Sequence, residues 1–310
     1  MAADNNALAP PRTEEVADGV YAYVQPDGGW CVNNCGIVTD GGETALIDTV
    51  ATEERALRLR KAVLEVAGRA PGVVVNTHHH SDHTFGNHLF APDAVFMAHE
   101  RTRTEMAAAG LGLTQLFPNV GWGDVRVTLP SLTFRDNATL RRGDLRVELL
   151  HLGPAHTTND VVAWIPDRGV LFTGDIAMSG VTPYCLMGTV QGSLDVLARL
   201  RALGPTTVVP GHGPVGGPEI LDANAAYLTW IQELARDGAA AGQSALEAAK
   251  AADLGDFAEL LDPERLVGNL HRAYLELAGS AGPELGAPLD VVSSFMEMVE
   301  YHGRLPDCHA

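Results

Sequence analysis

Hydrophobic and polar positions change their period repeatedly along the chain, and each change marks an element. Residues 19–27 (GVYAYVQPD) and 35–50 (CGIVTDGGETALIDTV) carry the short apolar runs and glycine-rich breaks of an antiparallel opening, after a mobile start. Over 53–68 (EERALRLRKAVLEVAG) the apolar residues recur at helical spacing, and GVVVNT at 72–77 reads as a short all-apolar strand. AVFMAHE (94–100) is another buried strand, and 102–117 (TRTEMAAAGLGLTQLF) a helix or lid. The pattern then begins again. Residues 133–153 suggest a hairpin, 160–175 two strands with a turn, 193–204 a helix, and TTVVPGHG (206–213) one more short strand.

From Pro218 onward the period is helical throughout. Residues 218–238 form a long amphipathic stretch, and 244–255 opens with the capping-box pair Ser244 and Glu247. The segment 262–277 places Asp262 at a cap and Pro263 at the first helical position. A linker over 278–288 precedes a last helix over 289–303. The loose repetition of strand and helix in two halves predicts an α/β fold, two sheets packed between helices.

Composition narrows the partners. Hydrophobic content of 46% with 19% charged residues is that of a folded chain. A formal net charge of -18 repels nucleic acid and anionic membranes, although Arg55–Lys61 or Arg141 and Arg142 could form a local basic patch. The first residues lack the basic and apolar regions of a secretory signal, and no apolar run is long enough to span a bilayer. The four cysteines, Cys31, Cys35, Cys185 and Cys308, are too few for a disulfide scaffold in 310 residues. They are expected as reduced thiols in the cytoplasm, and Cys31 with Cys35 makes a weak metal pair because no second pair accompanies it.

The chemistry gathers at strand ends. Residues 77–87 read THHHSDHTFGN, so four of the chain's twelve histidines fall between His78 and His83. His78 and His80 are two apart and project to one side of an extended chain, while His79 points away. Asp82 and His83, past the bend, can address a second point nearby. Three further strands end in or near a histidine or aspartate, in ELLHLGPAH, VLFTGD and VVPGHG. Imidazole with carboxylate suits zinc and also accepts iron or manganese. A structural zinc site would be cysteine-rich and closed, so a His/Asp set on loops favours an open catalytic one. His79, His88, His99, His151, His271, His302 and His309 read as ordinary core or surface residues.

THHHSDH matches the T-H-x-H-x-D-H signature of the metallo-β-lactamase superfamily, and GPAHTTND, FTGD and PGHG follow in that family's order, with ETALIDT upstream resembling its early strand. The resemblance covers roughly 16–214. It implies an αββα sandwich core there, with 218–302 as a helical C-terminal extension packed on it in a single domain of 1–310. It also implies one metal held by His78, His80 and His156, a second by Asp82, His83 and His212, and Asp175 bridging two Zn2+, with Fe or Mn as substitutes. Asp48 would stand behind the ligands and orient them. Such a centre activates water for attack on a carbonyl, with Asp82 orienting the nucleophile and carrying a proton to the leaving group. No G-x-S-x-G elbow competes with it.

Further segments, among them GGWCVNN, GDIAMSGVTPYCLMG and the tail GRLPDCHA, resemble the second-ring cyclases of bacterial aromatic polyketide pathways, of the actinorhodin type. That resemblance implies closure of a second ring on a polyketide thioester and its hydrolysis from an acyl carrier protein. A flat substrate needs an apolar slot, with Trp30, Leu116, Phe117, Trp122, Met178, Tyr184 and Met187 as candidate walls and the Tyr184 hydroxyl as catalytic donor to a substrate carbonyl. A carrier protein is itself acidic, so this reading requires a local basic patch; without one, a diffusible substrate is the better partner. The alternative is a general hydrolase of a small thioester, lactone or β-lactam. A binding protein with vestigial metals and an iron-dependent dioxygenase are further options. Metal identity and oligomeric state, a homo-oligomer included, stay open.

Overall fold

Two strand-rich stretches of sequence build two separate sheets in a computed structural model that describes residues 8–279 and 289–310. The first sheet runs in sequence order through β1 (Arg12–Ala17), β2 (Val20–Val24), β3 (Cys35–Asp40), β4 (Glu43–Ile47), β5 (Val73–Val75), β6 (Val95–His99) and β7 (Leu132–Phe134). Its first four strands are antiparallel, and β5 to β7 continue parallel from β4. The second sheet contains β8 (Asn137–Arg142), β9 (Leu145–Leu150), β10 (Val162–Ile165), β11 (Val170–Phe172) and β12 (Thr207–Val209), in the order β12-β11-β10-β9-β8. Only β11 and β12 pair in parallel there.

Strand β1 corrects the expected mobile start. Its RTEEVA is polar and half exposed, so hydrophobicity does not mark it, and backbone pairing with β2 from Arg12↔Val24 holds it at the sheet edge. Helix α1 (Glu53–Ala67) is capped by the Thr52 side chain, which accepts from Arg55 N, and ends at Gly68. The expected helix or lid over 102–117 is two helices, α2 (Glu100–Ala109) and α3 (Leu113–Leu116), parted by the turn through Gly110 and Gly112. After α4 (Val190–Ala202) come α5 (Glu219–Ala240), α6 (Ala245–Ala251), α7 (Arg265–Leu277) and α8 (Val291–His302). The capping box of Ser244 and Glu247 forms. Asp262 does not cap α7, which begins at Arg265. Its carboxylate lies 2.9 Å from the Arg265 guanidinium, an ion pair with the helix in place of a cap. Of the expected linker, 280–288 lies outside the described residues.

Three hydrophobic layers follow from this arrangement. Between the sheets, Val38, Ile47 and Val75 meet Leu149, Ile165 and Phe172. Outside the first sheet, Ala56, Leu59 and Val63 of α1 cover Ile37, Leu46 and Phe96. Outside the second, Leu200, Leu228, Ile231, Leu266, Leu270 and Met298 join α4, α5, α7 and α8 to Trp164 and Leu171 in one continuous cluster. Each such side chain stabilises the fold by about 1.5–3 kcal/mol on burial. Among the described residues no helix is long and apolar enough to cross a membrane.

The strand directions decide where the chemistry sits. β9, β11 and β12 run the same way, so the segments that follow them leave one edge of the second sheet carrying His156, Asp175 and His212. Parallel β4 and β5 likewise release Asp48 and His78–His83 from one edge of the first.

Candidate metal centre

Seven side chains converge where these edges meet. His78, His80, His156 and Asp175 form one group and Asp82, His83 and His212 another, with the potential ligand atoms of each group within 4.8 Å of one another. His80 presents Nδ1, which stands 2.9 Å from His156 Nε2. Asp175 lies between the groups: its Oδ2 is 3.5 Å from His156 Nε2, 3.9 Å from His78 Nε2 and 3.4 Å from His212 Nε2, and its Oδ1 is 3.1 Å from His83 Nε2. Asp82 Oδ2 closes the second group, 3.4 Å from His212 Nε2 and 3.8 Å from His83 Nε2.

The far side of each imidazole is held as well. Asp48 accepts from Thr77 N and Thr77 Oγ1, both at 2.7 Å, and from His83 Nδ1 at 2.9 Å. His212 Nδ1 donates to the Gly28 carbonyl at 2.9 Å, and His156 Nδ1 donates to the Tyr184 carbonyl. Thr77 Oγ1 lies 3.0 Å from His78 Nδ1, and the Met187 thioether sulfur 3.3 Å from His80 Nε2. Each of these contacts occupies one ring nitrogen and leaves the other facing the cluster. Gly213 (φ 83) turns the chain directly after His212, where a Cβ would lie 1.8 Å from the Ser179 carbonyl oxygen.

His78 Nε2, His83 Nε2 and Asp175 Oδ1 are buried without a hydrogen-bond partner. Buried polar atoms are rarely left so, and three of them inside one His/Asp cluster fit a divalent cation as the missing partner. The electrostatics agree. Burial, with like charge from neighbouring imidazoles, pushes His78 and His80 well below the ordinary histidine value and favours the neutral ring that a metal requires. In the second group burial acts against the charged ring, but the carboxylates outweigh it. His83 is driven well up by Asp175, Asp48 and Asp82, and His212 to about 9 by Asp175 and Asp82. Burial likewise opposes the charge on Asp175, yet His212 and His83 hold its carboxyl well below the usual range.

The other expected residues separate. His79 turns from the cluster towards Asn159 Nδ2 at 3.1 Å and Glu105 at 3.5 Å. Tyr184 meets the centre through its carbonyl. Its ring packs beside Gly268, with Oη 3.5 Å from where a Cβ there would stand, and burial pushes the phenol well up. Trp30 packs on Phe117 and Tyr184 with ring centroids 6.0 and 5.4 Å apart, and Leu116 joins the same cluster. Trp122 stacks edge-on to Phe85 and donates to the Phe117 carbonyl. A cavity of about 500 Å3 lies elsewhere, between residues 178–183, α5 and 256–260, and of the expected wall residues only Met178 lines it. The aromatic candidates therefore fill space against one another in this structure and do not border that opening. Sequence reasoning also missed Gly28, Thr77, Asn33 and the Tyr184 carbonyl. Asn33 Nδ2 donates to the Thr49 carbonyl at 2.7 Å beneath His83. Its only signal was a polar pair, VNN, closing an apolar run.

Comparison with known proteins identifies the family. The metallo-beta-lactamase superfamily profile matches residues 28–212. The acyl-coenzyme A thioesterase MBLAC2 of Homo sapiens is 29% identical over 175 residues, 51% of this chain and 61% of that protein. The metallo-beta-lactamase type 2 of Bacteroides fragilis is 25% identical over 67% of this chain and 81% of its own length. The hydroxyacylglutathione hydrolase of Methylococcus capsulatus is 30% identical over 54% of this chain and 56% of its own. The chain thus spans under two thirds of the thioesterase and of the glutathione hydrolase. In fold, a metallo-beta-lactamase from Pontibacter korlensis superposes with a TM-score of 0.60 at 20% identity, over 71% of this chain and 99% of that one. With the profile covering more than half of its length, the chain belongs to the metallo-beta-lactamase superfamily.

Proposed function

We propose that the protein is a metal-dependent hydrolase whose substrate is a thioester or a related small acyl compound. The observation that carries this reading is the pair of ligand groups joined through Asp175, with three buried donor atoms that no protein group satisfies. His78, His80 and His156 would hold one cation, Asp82, His83 and His212 a second, and Asp175 both. When bound, such cations supply Lewis acidity and lower the pKa of water. The chain's own residues do the rest. Asp48 and the Gly28 carbonyl fix His83 and His212, so that the donor set needs no rearrangement as charge develops. Asp82, about one-eighth exposed and the most accessible carboxylate of the cluster, is placed to orient the nucleophile and to pass a proton to a departing group. A thiolate leaves more readily than an amine or alkoxide and asks the least of that proton transfer. Two of the relatives are by name a thioesterase and a hydroxyacylglutathione hydrolase, which supports the same substrate class.

Zinc is the proposed metal, with iron and manganese as competitors. The narrower reading, ring closure on a carrier-bound polyketide, rests on sequence resemblance alone. Of the candidate patch Arg55–Lys61, Arg55 is engaged by Gln25 and the His309 carbonyl, and Arg58, Arg60 and Lys61 face Glu54, Asp93 and Glu65, which favours a diffusible thioester. The test loads the protein with zinc, iron or manganese and offers acyl-coenzyme A, an acylglutathione, a lactone, a β-lactam and the thioester of a poly-β-ketone. Metal-dependent thiol release from the simple thioesters is expected. Turnover of only the lactone or lactam refutes the thioester assignment, and a cyclised product from the poly-β-ketone would move it to the ring-closing reading.

A further inference from the structure

The imidazoles of the centre are not supported alike. His83, His156 and His212 each donate their outer N–H to an oxygen of Asp48, Tyr184 or Gly28, and His78 has the Thr77 hydroxyl. His80 has the half-buried Met187 thioether, 3.3 Å from Nε2. Sulfur is a weak acceptor, yet a thioether at this distance selects the tautomer with the proton on Nε2 and the lone pair on Nδ1, the nitrogen that faces His156.

Met187 does not reach this place by its own flexibility. The segment 183–188 that carries it is bolted to α7. Asn269 accepts from Cys185 N at 2.9 Å and donates to the Pro183 carbonyl at 2.7 Å, and Arg272 Nε donates to the Leu186 carbonyl at 2.9 Å. Asn269 and Arg272 are both buried. On its other side the segment lies directly on the strand-end loop of His156, where a Cβ at Gly188 would fall 1.9 Å from the Ala155 carbonyl oxygen. One short segment therefore touches two ligands of the same group, His156 through the Tyr184 carbonyl and His80 through Met187. The helix behind it lies outside the residues matched by the superfamily profile.

We propose that Met187 is a positioning residue for His80, held in register by Asn269 and Arg272 of α7, so that this C-terminal helix tunes one of the two ligand groups. This rests on the metal-centre reading above and concerns binding, not turnover. The test compares the full chain with Met187→Leu, which keeps the volume and removes the acceptor, and Met187→Gln, which supplies a stronger one. Zinc and cobalt affinities are measured by chelator competition, and the His80 Nε2–H by imidazole nitrogen–proton NMR of the zinc form. Loss of a partner behind a ligand weakens metal binding by about 10–100-fold, and a thioether should sit near the low end. The expected result is a roughly tenfold loss in Met187→Leu at the site of His78, His80 and His156 only, with faster exchange of the His80 proton and recovery in Met187→Gln. Unchanged affinity and an unchanged His80 signal in Met187→Leu overturn the proposal. So does equal weakening at both sites, or a Met187→Gln protein no better than Met187→Leu. Because no substrate is involved, failure to hydrolyse thioesters leaves this inference standing, and normal metal binding in Met187→Leu sinks it even in an active hydrolase.

Discussion

The two ligand groups lie side by side, share Asp175, and are built on opposite electrostatic plans. Around His78, His80 and His156 the supporting atoms are neutral: a hydroxyl, a thioether and a carbonyl. Behind His83 stands the Asp48 carboxylate and behind His212 the Gly28 carbonyl, and the Asp82 carboxylate faces both rings. Accordingly, burial dominates in the first group and pushes His78 and His80 down, while carboxylate charge dominates in the second and lifts His83 and His212. Neutral imidazoles await a cation without displacing anything, whereas raised ones must first give up a proton. The same residue types thus yield one group suited to holding a metal over a wide pH range and another that trades metal against protons.

The largest effect should follow from removing what the groups share. Asp175→Asn keeps the volume but takes away the charge that faces four imidazoles. We expect metal content to fall well below that of the native chain and hydrolysis to drop by roughly 10^3-fold or more. Elemental analysis alongside thiol release checks this. Retention of both metals would mean that the two groups are independent sites that happen to adjoin.

Acidification should then separate the groups. His212, raised to about 9, and His83, also raised, keep their protons at neutral pH unless a cation displaces them. Affinity at the second group therefore falls as pH drops below about 9, while the first group, with His78 and His80 lowered, keeps its affinity to a more acid pH. Metal titration by calorimetry across a pH series should show one of two binding events weakening first, with proton release accompanying it. Parallel weakening of both events contradicts the contrast in electrostatic plan.

How much of this was readable beforehand depends on where the information lies. THHHSDH keeps four of the seven candidate ligands within six residues, and His156, Asp175 and His212 each follow a short apolar strand, so residue type and strand period locate them together. Supporting groups are a different matter. The carbonyls of Gly28 and Tyr184 belong to no side chain, and every residue owns one; only the folded path of the chain selects which two face His212 and His156. Asp262 looked like a cap because aspartate before Pro263 commonly is one, but the nearby Arg265 guanidinium competes for its carboxylate. β1 escaped notice because an exposed edge strand is held by backbone hydrogen bonds, which a hydrophobic pattern does not record. Wall residues are no more legible: aromatic residues that could wall a cavity can equally fill one, and sequence does not distinguish the two for Trp30, Phe117 and Tyr184, which pack on each other.

The smallest expected effect bounds the acid end of the comparison between the groups, because His99, packed beside the loop that carries His156, is disfavoured as a cation by burial. Asp160 ties that loop down by accepting from Thr157 N and Thr157 Oγ1, and its carbonyl accepts from His151 Nδ1 at 2.8 Å. His151 stacks on His99 with ring centroids 4.2 Å apart. His99 Nδ1 caps α2 by accepting from Arg101 N, and its Nε2 donates to the Arg135 carbonyl, so the neutral ring is fully used. Burial, with the like charge of His151, lowers its pKa below the ordinary 6.5. The sign follows: between that lowered value and 6.5 the unfolded chain binds more protons than the folded one, so stability falls as pH falls through this window. His99→Asn retains a side-chain cap without the titration. Its melting temperature should fall less steeply than that of the native chain between pH 6.5 and the lowered value, a difference on the order of 2 °C for a chain of this size. If native and His99→Asn proteins lose stability in parallel, the acid sensitivity originates in groups other than His99, and the order of metal loss must be read together with unfolding.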